Sequence, residues 1–575
     1  MARKVLIIGA VALGPKAACR IKRLDPQAQV TIVDRDYLIS YGGCGIPYYV
    51  GGDVADLEGL RSTSSHAVRN RKFFQACKGV AIRERTEALH IDRQAKKVTV
   101  RLMPSDDVED LKYDKLVLAT GAKPVVPPIP GADLPGVTVV ANLHHAKHIK
   151  DAVAHGKVNR AVVIGGGAIG VEMAEALTDL WGVETTLVEM MDQLLPTAFG
   201  KNMSRLIQNH MSAKGVNVLL SEGVTRILGD AQNGVTAVQT TRSKIPCDMV
   251  ILAVGVRPNA ELAAEAGLAI GGHGGILVDR CLRTSDPDIY AGGDCVELTH
   301  LVSGQKVPMP LGSLANRQGR VIGTNINGGC DHFKGTVGSF CLKVFDLGIA
   351  RAGLTVKQAA AAGFDPVYSI VVQSDRAHFY PTQELMYMKL IADRGTRRVL
   401  GIEALGKSGD AVKARVDAVA ALLPYEADIA AVSNLEVSYA PPFASAMDIV
   451  NNAANTLENI ILGQNRPIDV ADFLSMFKDK KTKVLDVRSP SESRPFEAAY
   501  GDRWVNIPQE ELAARMNEVP AGEVLCLLCN TGPRSYEAQL LLKSHGIRDT
   551  LNVQGGYGML MTSDPEFTSA GKGET

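Results

Sequence analysis

The chain has 575 residues, 46% hydrophobic and 22% charged, with 62 Lys plus Arg set against 62 Asp plus Glu. That length calls for roughly three to five domains, and the balanced charge argues against bulk binding to nucleic acid or to an anionic membrane. Ten cysteines without small-protein disulfide spacing read as reduced thiols, so a cytoplasmic setting is expected.

At the N-terminus Arg3 and Lys4 precede the apolar run 5–13, which mimics a secretory signal. Lys16, Arg20, Lys22 and Arg23 follow at once and no long apolar span occurs, so a strand–turn–helix is predicted instead. Strand 4–9 leads into Gly9-Ala-Val11-Ala-Leu-Gly14, a basic helix, and strand 29–34 ending in Asp34. This is a nucleotide-binding turn in which Val11 takes the place of the middle glycine. Leu116 to Gly121 (LVLATG) is an apolar strand ending in glycine, and the Pro-rich stretch 123–135 reads as a crossover between domains. His144, His145 and His148 have no acid or cysteine at ligand spacing, so they read as a solvated helix face rather than a metal site.

The same pattern then recurs. Residues 160–165 are apolar, Gly165-Gly-Gly167-Ala-Ile-Gly170 is a complete dinucleotide fingerprint, 171–180 are helical, and strand 184–189 ends in Glu189. The first glycine makes the tight turn, the second admits the pyrophosphate, and the third lets helix pack on strand. The helix N-terminus then receives the phosphates. Glu189 can accept from a ribose 2′-hydroxyl and would repel a 2′-phosphate, so NADH is expected over NADPH. Two such units imply two nucleotides and parallel sheets covered by helices. The stretch 250–258 (VILAVGVRP) is a further apolar strand ending in glycine, and 289–294 (IYAGGD) is one ending in Gly-Gly-Asp.

After about residue 330 the pattern changes. Strands at 336–344, 348–353 and 386–392 and a helix at 409–423 suggest an α+β interface domain. Residues 451–466 are Asn-rich and read as a linker, a last βα region starts at 468, and 568–575 read as a frayed tail. In that region Val484-Leu-Asp486-Val-Arg488 is a strand ending in charge, and strand 523–529 runs into Cys529-Asn-Thr-Gly-Pro-Arg534. A loop curled around Cys529 at a helix N-terminus aims backbone N–H groups at the sulfur and suits a thiolate or persulfide. Cys526, three residues away on a strand, faces the other side and reads as core.

The segment Ser40-Tyr-Gly-Gly-Cys44-Gly-Ile-Pro47-Tyr48, the pair Gly293-Asp294, and the run 311–320 with Ala315-Asn316-Arg317-Gln318-Gly319-Arg320 resemble the two-dinucleotide flavoprotein disulfide reductases over residues 1–450. Within them the chain is most similar to the coenzyme A-disulfide reductases. The strand, the loop opening with Cys529, and Gly555-Gly556 resemble the rhodanese sulfurtransferases over 467–565, although residues 498–508 (AAYGDRWVNIP) stand where those have His-Ile-Pro-Gly-Ala. The fold so implied is α/β: an FAD-binding domain at 1–150 and 275–330, an NAD-binding domain at 151–274, a dimerisation domain at 331–450, a linker at 451–466, and a rhodanese-like domain at 467–565.

The resemblance implies that Gly9, Ala10, Val11, Gly14, Asp34, Arg35, Ala88, Thr120, Gly121, Gly293, Asp294, Leu311 and Ala315 hold FAD. Gly165, Gly167, Ile169, Gly170, Glu189 and Gly255 hold the nicotinamide cofactor. Arg20, Arg23, Ser40, Arg61 and Arg71 lie by coenzyme A. It makes Cys44 the redox centre, and Tyr380 and Tyr439 donors to the partner subunit's site in a homodimer. Cys529 and Arg534 become the sulfur-handling pair. Relatives with two cysteines carry a CxxxxC pair, but the residue five after Cys44 is Tyr49, so one thiolate must attack alone and leave a mixed disulfide. Gly43 stands where the family usually has Asn, which removes a side-chain amide beside the sulfur.

The expected activity is therefore reduction of the sulfur–sulfur bond of coenzyme A disulfide, coenzyme A persulfide or polysulfide by NADH through FAD and Cys44, with sulfane sulfur passing through Cys529. A second reading is an NADH oxidase or peroxidase using Cys44 as a sulfenic acid. Residues 9–24 contain no histidine, which counts against peroxidase chemistry. A third reading is a redox sensor or sulfur carrier without turnover.

Overall fold

The structure is a computed structural model and describes residues 2–520 and 522–569. The chain forms two compact units, Met1–Asp192 with Gly215–Thr336, and Gln193–Lys214 with Val337–Thr575. The end of the 568–575 stretch, from residue 570, lies outside the described residues.

The first unit contains two parallel five-stranded sheets built to one plan. In the first, Lys4–Ile8 lies at the centre, between Gln29–Val33 and Lys115–Leu118, and the order closes with Ala81–Arg83 on one side and Ile289–Ala291 on the other. In the second, Arg160–Ile164 is central, flanked by Glu184–Val188 and Met249–Leu252, with Asn217–Leu219 and Val137–Val139 at the edges. Both central strands are exposed at the first residue and buried for the next four, the continuous apolar run that a sheet covered on both faces requires. Each central strand is followed by a glycine turn and a helix, Leu13–Leu24 in the first sheet and Ala168–Thr178 in the second. The Pro-rich crossover begins as strand Ala122–Pro124, paired antiparallel with Val256–Pro258. Val137–Val139, which the sequence reading assigned to the first nucleotide domain, pairs in the second sheet because the crossover is already complete before it.

The second unit combines an antiparallel sheet, in the order Phe340–Val344, Leu347–Gly353, Val399–Gly406, Leu385–Asp393 and Pro366–Ser374, with a parallel one. The parallel sheet runs Pro467–Ile468, Thr550–Val553, Val524–Leu528, Thr482–Asp486 and Trp504–Asn506.

Two segments depart from the sequence reading. Residues 193–214, placed inside the 151–274 domain, belong to the second unit. Their helix Lys201–Ala213 buries Met203, Leu206, Ile207 and Met211, and the Gly200 N–H donates to the Glu403 carboxylate at 2.9 Å. Residues 451–466 are no linker over most of their length: Ile449–Ile461 is a helix that buries Val450, Ala453, Ala454 and Leu457. Its asparagines are structural. Asn451 donates to the carbonyls of Val432, Ser433 and Leu435 and so closes the C-terminal end of the helix Ile429–Ser433. No described helix is long and apolar enough to cross a membrane.

Candidate active site

The first nucleotide turn is fixed by sterics before any ligand is considered. Gly9 has φ +108°, and a β-carbon there would stand 2.1 Å from the Ala119 carbonyl oxygen. One on Gly14 would stand 1.9 Å from the Gly9 oxygen, so helix and strand pack at a distance only glycine permits. Asp34 accepts from the Ala10 N–H at 2.7 Å and from the Asp36 N–H at 2.9 Å, and burial pushes its carboxyl up. The second turn repeats this. Gly165 has the same φ, a β-carbon on Gly170 would meet the Gly165 oxygen at 1.9 Å, and Glu189 accepts from the Gly166 and Met191 N–H groups at 2.6 and 2.7 Å. At Gly167 a β-carbon would meet nothing within 4 Å. The constraint on the middle glycine is thus the space beyond the protein, and the half-buried Val11 breaks no packing in the first turn. The half-buried Ile169 lies in the helix of the second turn, and Gly255 has φ +106° with open space around its α-carbon.

A cavity of about 430 Å³ opens beside the first turn, lined by Gly9, Asp34, Arg35, Ala88 and Thr120 among others. These are residues that sequence reasoning assigned to FAD. Next to it Asn259 N–H donates to the Gly121 carbonyl and Thr120 Oγ1 to that of Asn259. Gly293 and Ala315 approach one another, a β-carbon on Gly293 lying 3.7 Å from Ala315 Cβ, and Leu311 caps the helix that carries Ala315. Burial pushes the Asp294 carboxyl up to about 6. Gln318 Oε1 accepts from Gly293 N–H at 2.7 Å, while its fully buried Nε2 has no partner among the described residues. A buried amide donor left open beside a nucleotide turn fits a bound acceptor group, and the donor set as a whole fits FAD.

Cys44 is exposed and sits on the single turn Gly43–Gly45, just before the helix Ile46–Gly51. Gly42 N–H donates to the Leu60 carbonyl, and Ser40, at φ 51°, donates its N–H to the Ala10 carbonyl. The cysteine segment is therefore tied to the first nucleotide turn. Its sulfur faces the N-terminus of the helix Gly312–Ile326, 3.6 Å from where a Gly312 β-carbon would stand. The sulfur thus lies at the positive end of the dipole of a 15-residue helix.

Arg61 is buried and donates to the Ile39 carbonyl, close to the cysteine segment. Arg20 Nε instead donates to Thr324 Oγ1 at 3.1 Å, near the far end of the Gly312 helix. Arg23 and Arg71 are exposed.

Sequence reasoning missed Glu172, on the helix Ala168–Thr178. Its carboxyl is pushed up to about 7 by burial and the Glu175 carboxylate, opposed by a hydrogen bond from Tyr48, four residues beyond Cys44. The signal was a pair of acids, Glu172 and Glu175, inside the otherwise apolar run at 171–177.

In the second unit the loops of Tyr380 and Tyr439 are joined: Ala377 N–H donates to the Pro441 carbonyl and Ser445 Oγ to that of Arg376. Around them Phe379, Tyr439, Phe443 and Met447 are exposed. Arg415, buried against Asp448 at 2.9 Å, donates to the carbonyls of both Asp375 and Phe443.

Cys529 is buried, and its Sγ accepts from the Gly532 N–H at 3.0 Å and from Ser535 Oγ at 3.2 Å. The loop therefore curls donors onto the sulfur as expected. Arg534 is half-buried in the first turn of the helix Pro533–Ser544. Cys526 faces away, accepting from Thr482 Oγ1, and burial pushes its thiol up to about 11. The divergent stretch 498–508 supplies Trp504 and Asn506, which hydrogen-bond the buried Asp486–Arg488 pair. His144 pairs with Asp36 at 2.9 Å.

Residues 3–319 match the pyridine nucleotide-disulphide oxidoreductase family, 340–450 its dimerisation domain, and 469–559 the rhodanese-like domain. The chain is 34% identical over 446 residues, 78% of its length and 96% of the relative's, to a CoA-dependent NAD(P)H sulfur oxidoreductase of Pyrococcus abyssi. Among solved structures, an NAD-dependent persulfide reductase from A. fulgidus is 39% identical with TM-score 0.91, over 97% of this chain and 99% of that one. The reduced CoADR-RHD of Bacillus anthracis is 33% identical with TM-score 0.89, over 98% and 99%.

Proposed function

We propose, from the premise that the chain belongs to the pyridine nucleotide-disulphide oxidoreductases, that it is an NADH-dependent reductase of coenzyme A persulfide, coenzyme A disulfide or polysulfide acting through Cys44. The observation that carries the reading is the exposed Cys44 sulfur against the N-terminus of Gly312–Ile326, on a segment hydrogen-bonded to the first nucleotide turn.

FAD, when bound by the first turn, supplies two-electron transfer from reduced nicotinamide to a sulfur–sulfur bond. The protein's own groups do the rest. Cys44, at the helix N-terminus, attacks one sulfur of the substrate as a thiolate, releases a thiol or hydrosulfide, and keeps the other half as a mixed disulfide. Glu172, held near neutral pH, can carry a proton within reach of Tyr48. Arg20 meets the Gly312 helix at Thr324, twelve residues or about 18 Å along its axis from Gly312. That separation suits a thiol whose anionic end is remote from its sulfur, as in coenzyme A, with Arg61 and Ser40 nearer the reacting end.

The dimerisation-domain match supports a homodimer, in which Tyr380 and Tyr439 would serve the partner's sulfur. The rhodanese-like domain favours persulfide over simple disulfide, with Cys529 receiving or delivering sulfane sulfur and Arg534 adding positive charge. Glu189, its two oxygens fixed by backbone N–H groups, favours NADH. The test is NADH oxidation with coenzyme A persulfide, coenzyme A disulfide, polysulfide, peroxide and oxygen, in Cys44→Ser and Cys529→Ser separately. Cys44→Ser should abolish all sulfur reduction, and Cys529→Ser should affect only some substrates. Full sulfur reduction in Cys44→Ser removes the mechanism, and turnover with peroxide or oxygen alone makes the protein an oxidase or peroxidase.

A further inference from the structure

A second cavity, of about 680 Å³, lies wholly within the second unit. Its size is that of a small-ligand pocket. Segments far apart in sequence enclose it: the start of the helix Lys201–Ala213, the strands Pro366–Ser374 and Leu385–Asp393, and the start of the helix Val470–Lys478. Phe199, Val356, Leu474 and Met559 give it an apolar side. Lys201, Arg205, Lys357 and Lys389 give it cations, set against Asp469, Asp472 and Asp564.

Lys389 is only 3% exposed. Its ammonium donates to Asn202 Oδ1 at 3.1 Å and lies 4.1 Å from the centre of the Tyr368 ring, and no carboxylate pairs with it among the described residues. Across the sheet it stands opposite Glu403, which in turn stands opposite Arg351. All three are buried, so the row holds two cations for one acid. Glu403 turns one oxygen to the Gly200 N–H at 2.9 Å, and its other oxygen has no partner among the described residues. A buried charge without a counter-ion is costly. The Asp469 carboxylate is committed elsewhere: its Oδ2 accepts from Tyr368 at 2.6 Å and from Asn202 at 3.3 Å, and its Oδ1 from Gln554 at 2.8 Å. Asp469 therefore leaves the helix it precedes uncapped, and the first-turn residues Val470, Ala471 and Asp472 all line the cavity. The helix Lys201–Ala213 also starts there without a side-chain cap, from Gly200. Two uncapped helix starts and a buried lysine facing one space favour an anion in it.

We infer that this cavity binds an organic phosphate, a phosphate ester with an apolar body, at a site apart from the two dinucleotide turns and from both Cys44 and Cys529. The phosphate lies against Lys389 and the start of Val470–Lys478, where its oxygens accept from the ammonium and from backbone N–H groups and its charge completes the buried row. A carboxylate brings one charge and two oxygens to the same donors, and a phosphate brings up to two charges and three oxygens. The apolar body lies against Phe199, Val356, Leu474 and Met559. Asp472 and Lys357 are exposed, so the acid stays hydrated while the lysine can turn to the ligand. The same cavity wall carries the bonds that join the last parallel sheet region to the antiparallel sheet, Tyr368 to Asp469 and the Ile370 N–H to Gln554 Oε1 at 2.9 Å. An occupant between Lys389 and Val470 therefore holds the rhodanese-like domain to the dimerisation domain.

The experiment titrates the full chain with 4-bromophenyl phosphate by calorimetry, with NAD⁺ and coenzyme A at saturation so that the nucleotide sites are filled. Inorganic phosphate, 4-bromobenzoate and 4-bromophenol are the comparison probes, and the bromine is located by anomalous diffraction from crystals of the same complex. The phosphate ester should bind with a Kd about tenfold or more below that of each comparison probe, with its bromine on the Phe199 side of the cavity. Lys357→Glu, at an exposed position where folding is not at stake, should raise Kd about tenfold, and Lys389→Met should abolish binding. Hydrogen exchange in Val470–Lys478 should slow when the phosphate ester is added to the native chain and not when it is added to Lys357→Glu. Four results would each overturn the inference: no binding at millimolar concentration, displacement by NAD⁺ or coenzyme A, a bromine located elsewhere, or benzoate bound as tightly as the phosphate ester. Native affinity in the folded Lys357→Glu variant would overturn it as well.

Discussion

The Sγ of Cys44 and the α-carbon of Gly312 face one another so closely that a β-carbon on Gly312 would stand 3.6 Å from the sulfur. That is ordinary van der Waals contact, so a methyl group fits the resting thiol. It also occupies the space beside the sulfur that a second sulfur must use to form a mixed disulfide. Gly312→Ala should therefore fold with unchanged thermal stability and lose about tenfold or more in sulfur reduction, since misplacing reacting atoms by about 1 Å is costly. Parallel melting curves and NADH oxidation assays check it. Undiminished turnover would show that substrates reach Cys44 from elsewhere.

The reverse holds at Gly43, where the nearest heavy atom to a built β-carbon is 3.9 Å away, in the Tyr41 ring. Gly43→Asn should be accepted without loss of stability and should lower KM for disulfide substrates by supplying an amide beside Cys44. A variant that melts earlier, or one with unchanged KM, would dismiss that role for the missing side chain.

Most of what could be read from the residues was local. The turns at Gly9 and Gly165 announce themselves because their sterics involve near neighbours in sequence, and Cys529 because its donors come from its own loop. Glu189 followed from its place at a strand end. What escaped was long-range. That Gly312 meets Cys44 depends on packing across 268 positions of sequence, the difference of the two residue numbers. Glu172 looked like one of two acids among apolar neighbours until Tyr48 was beside it. The asparagines of 451–466 misled for a related reason: composition marks them as loop formers, yet Asn451 completes another helix's carbonyls and Asn459 lines a cavity.

Glu189 gives the cofactor prediction. Both carboxylate oxygens are fixed by N–H groups of Gly166 and Met191, while Met190, next in sequence to Glu189, is exposed. The native chain should show a KM for NADPH about tenfold or more above that for NADH, since a buried carboxylate meeting a phosphate is repulsive. Glu189→Ser with Met190→Arg should reverse the order. Equal KM values in the native chain would remove Glu189 as the discriminator.

Glu172 gives a pH dependence. Its folded pKa, about 7, lies above the ordinary 4.5 because burial and the Glu175 carboxylate disfavour the charged form. The protonated acid is thus the one the fold prefers. Its contribution is fully present below about 4.5 and is lost as pH rises through 7. Glu172→Gln cannot ionise, so its stability should match the native chain near pH 4.5 and exceed it by up to about 3 kcal/mol at pH 8. Denaturant midpoints across that range decide it. A gap that is constant with pH would mean the carboxyl titrates normally.

Arg415 separates stability from positioning in the second unit. It pairs with Asp448 and also holds the carbonyls of Asp375 and Phe443, one on each side of the tyrosine loops. Arg415→Met leaves Asp448 a lone buried carboxylate and should cost about 3–5 kcal/mol. Adding Asp448→Asn removes that charge while keeping a side-chain oxygen to accept from Val450 N–H, so much of the lost stability should return. The two carbonyls remain without their shared donor, so the loops carrying Tyr380 and Tyr439 stay loosely placed. The double variant should therefore melt near the native temperature yet keep a depressed kcat for sulfur reduction with KM for NADH unchanged. Recovery of kcat together with stability would show that Arg415 only holds the fold and that neither tyrosine loop needs it for turnover.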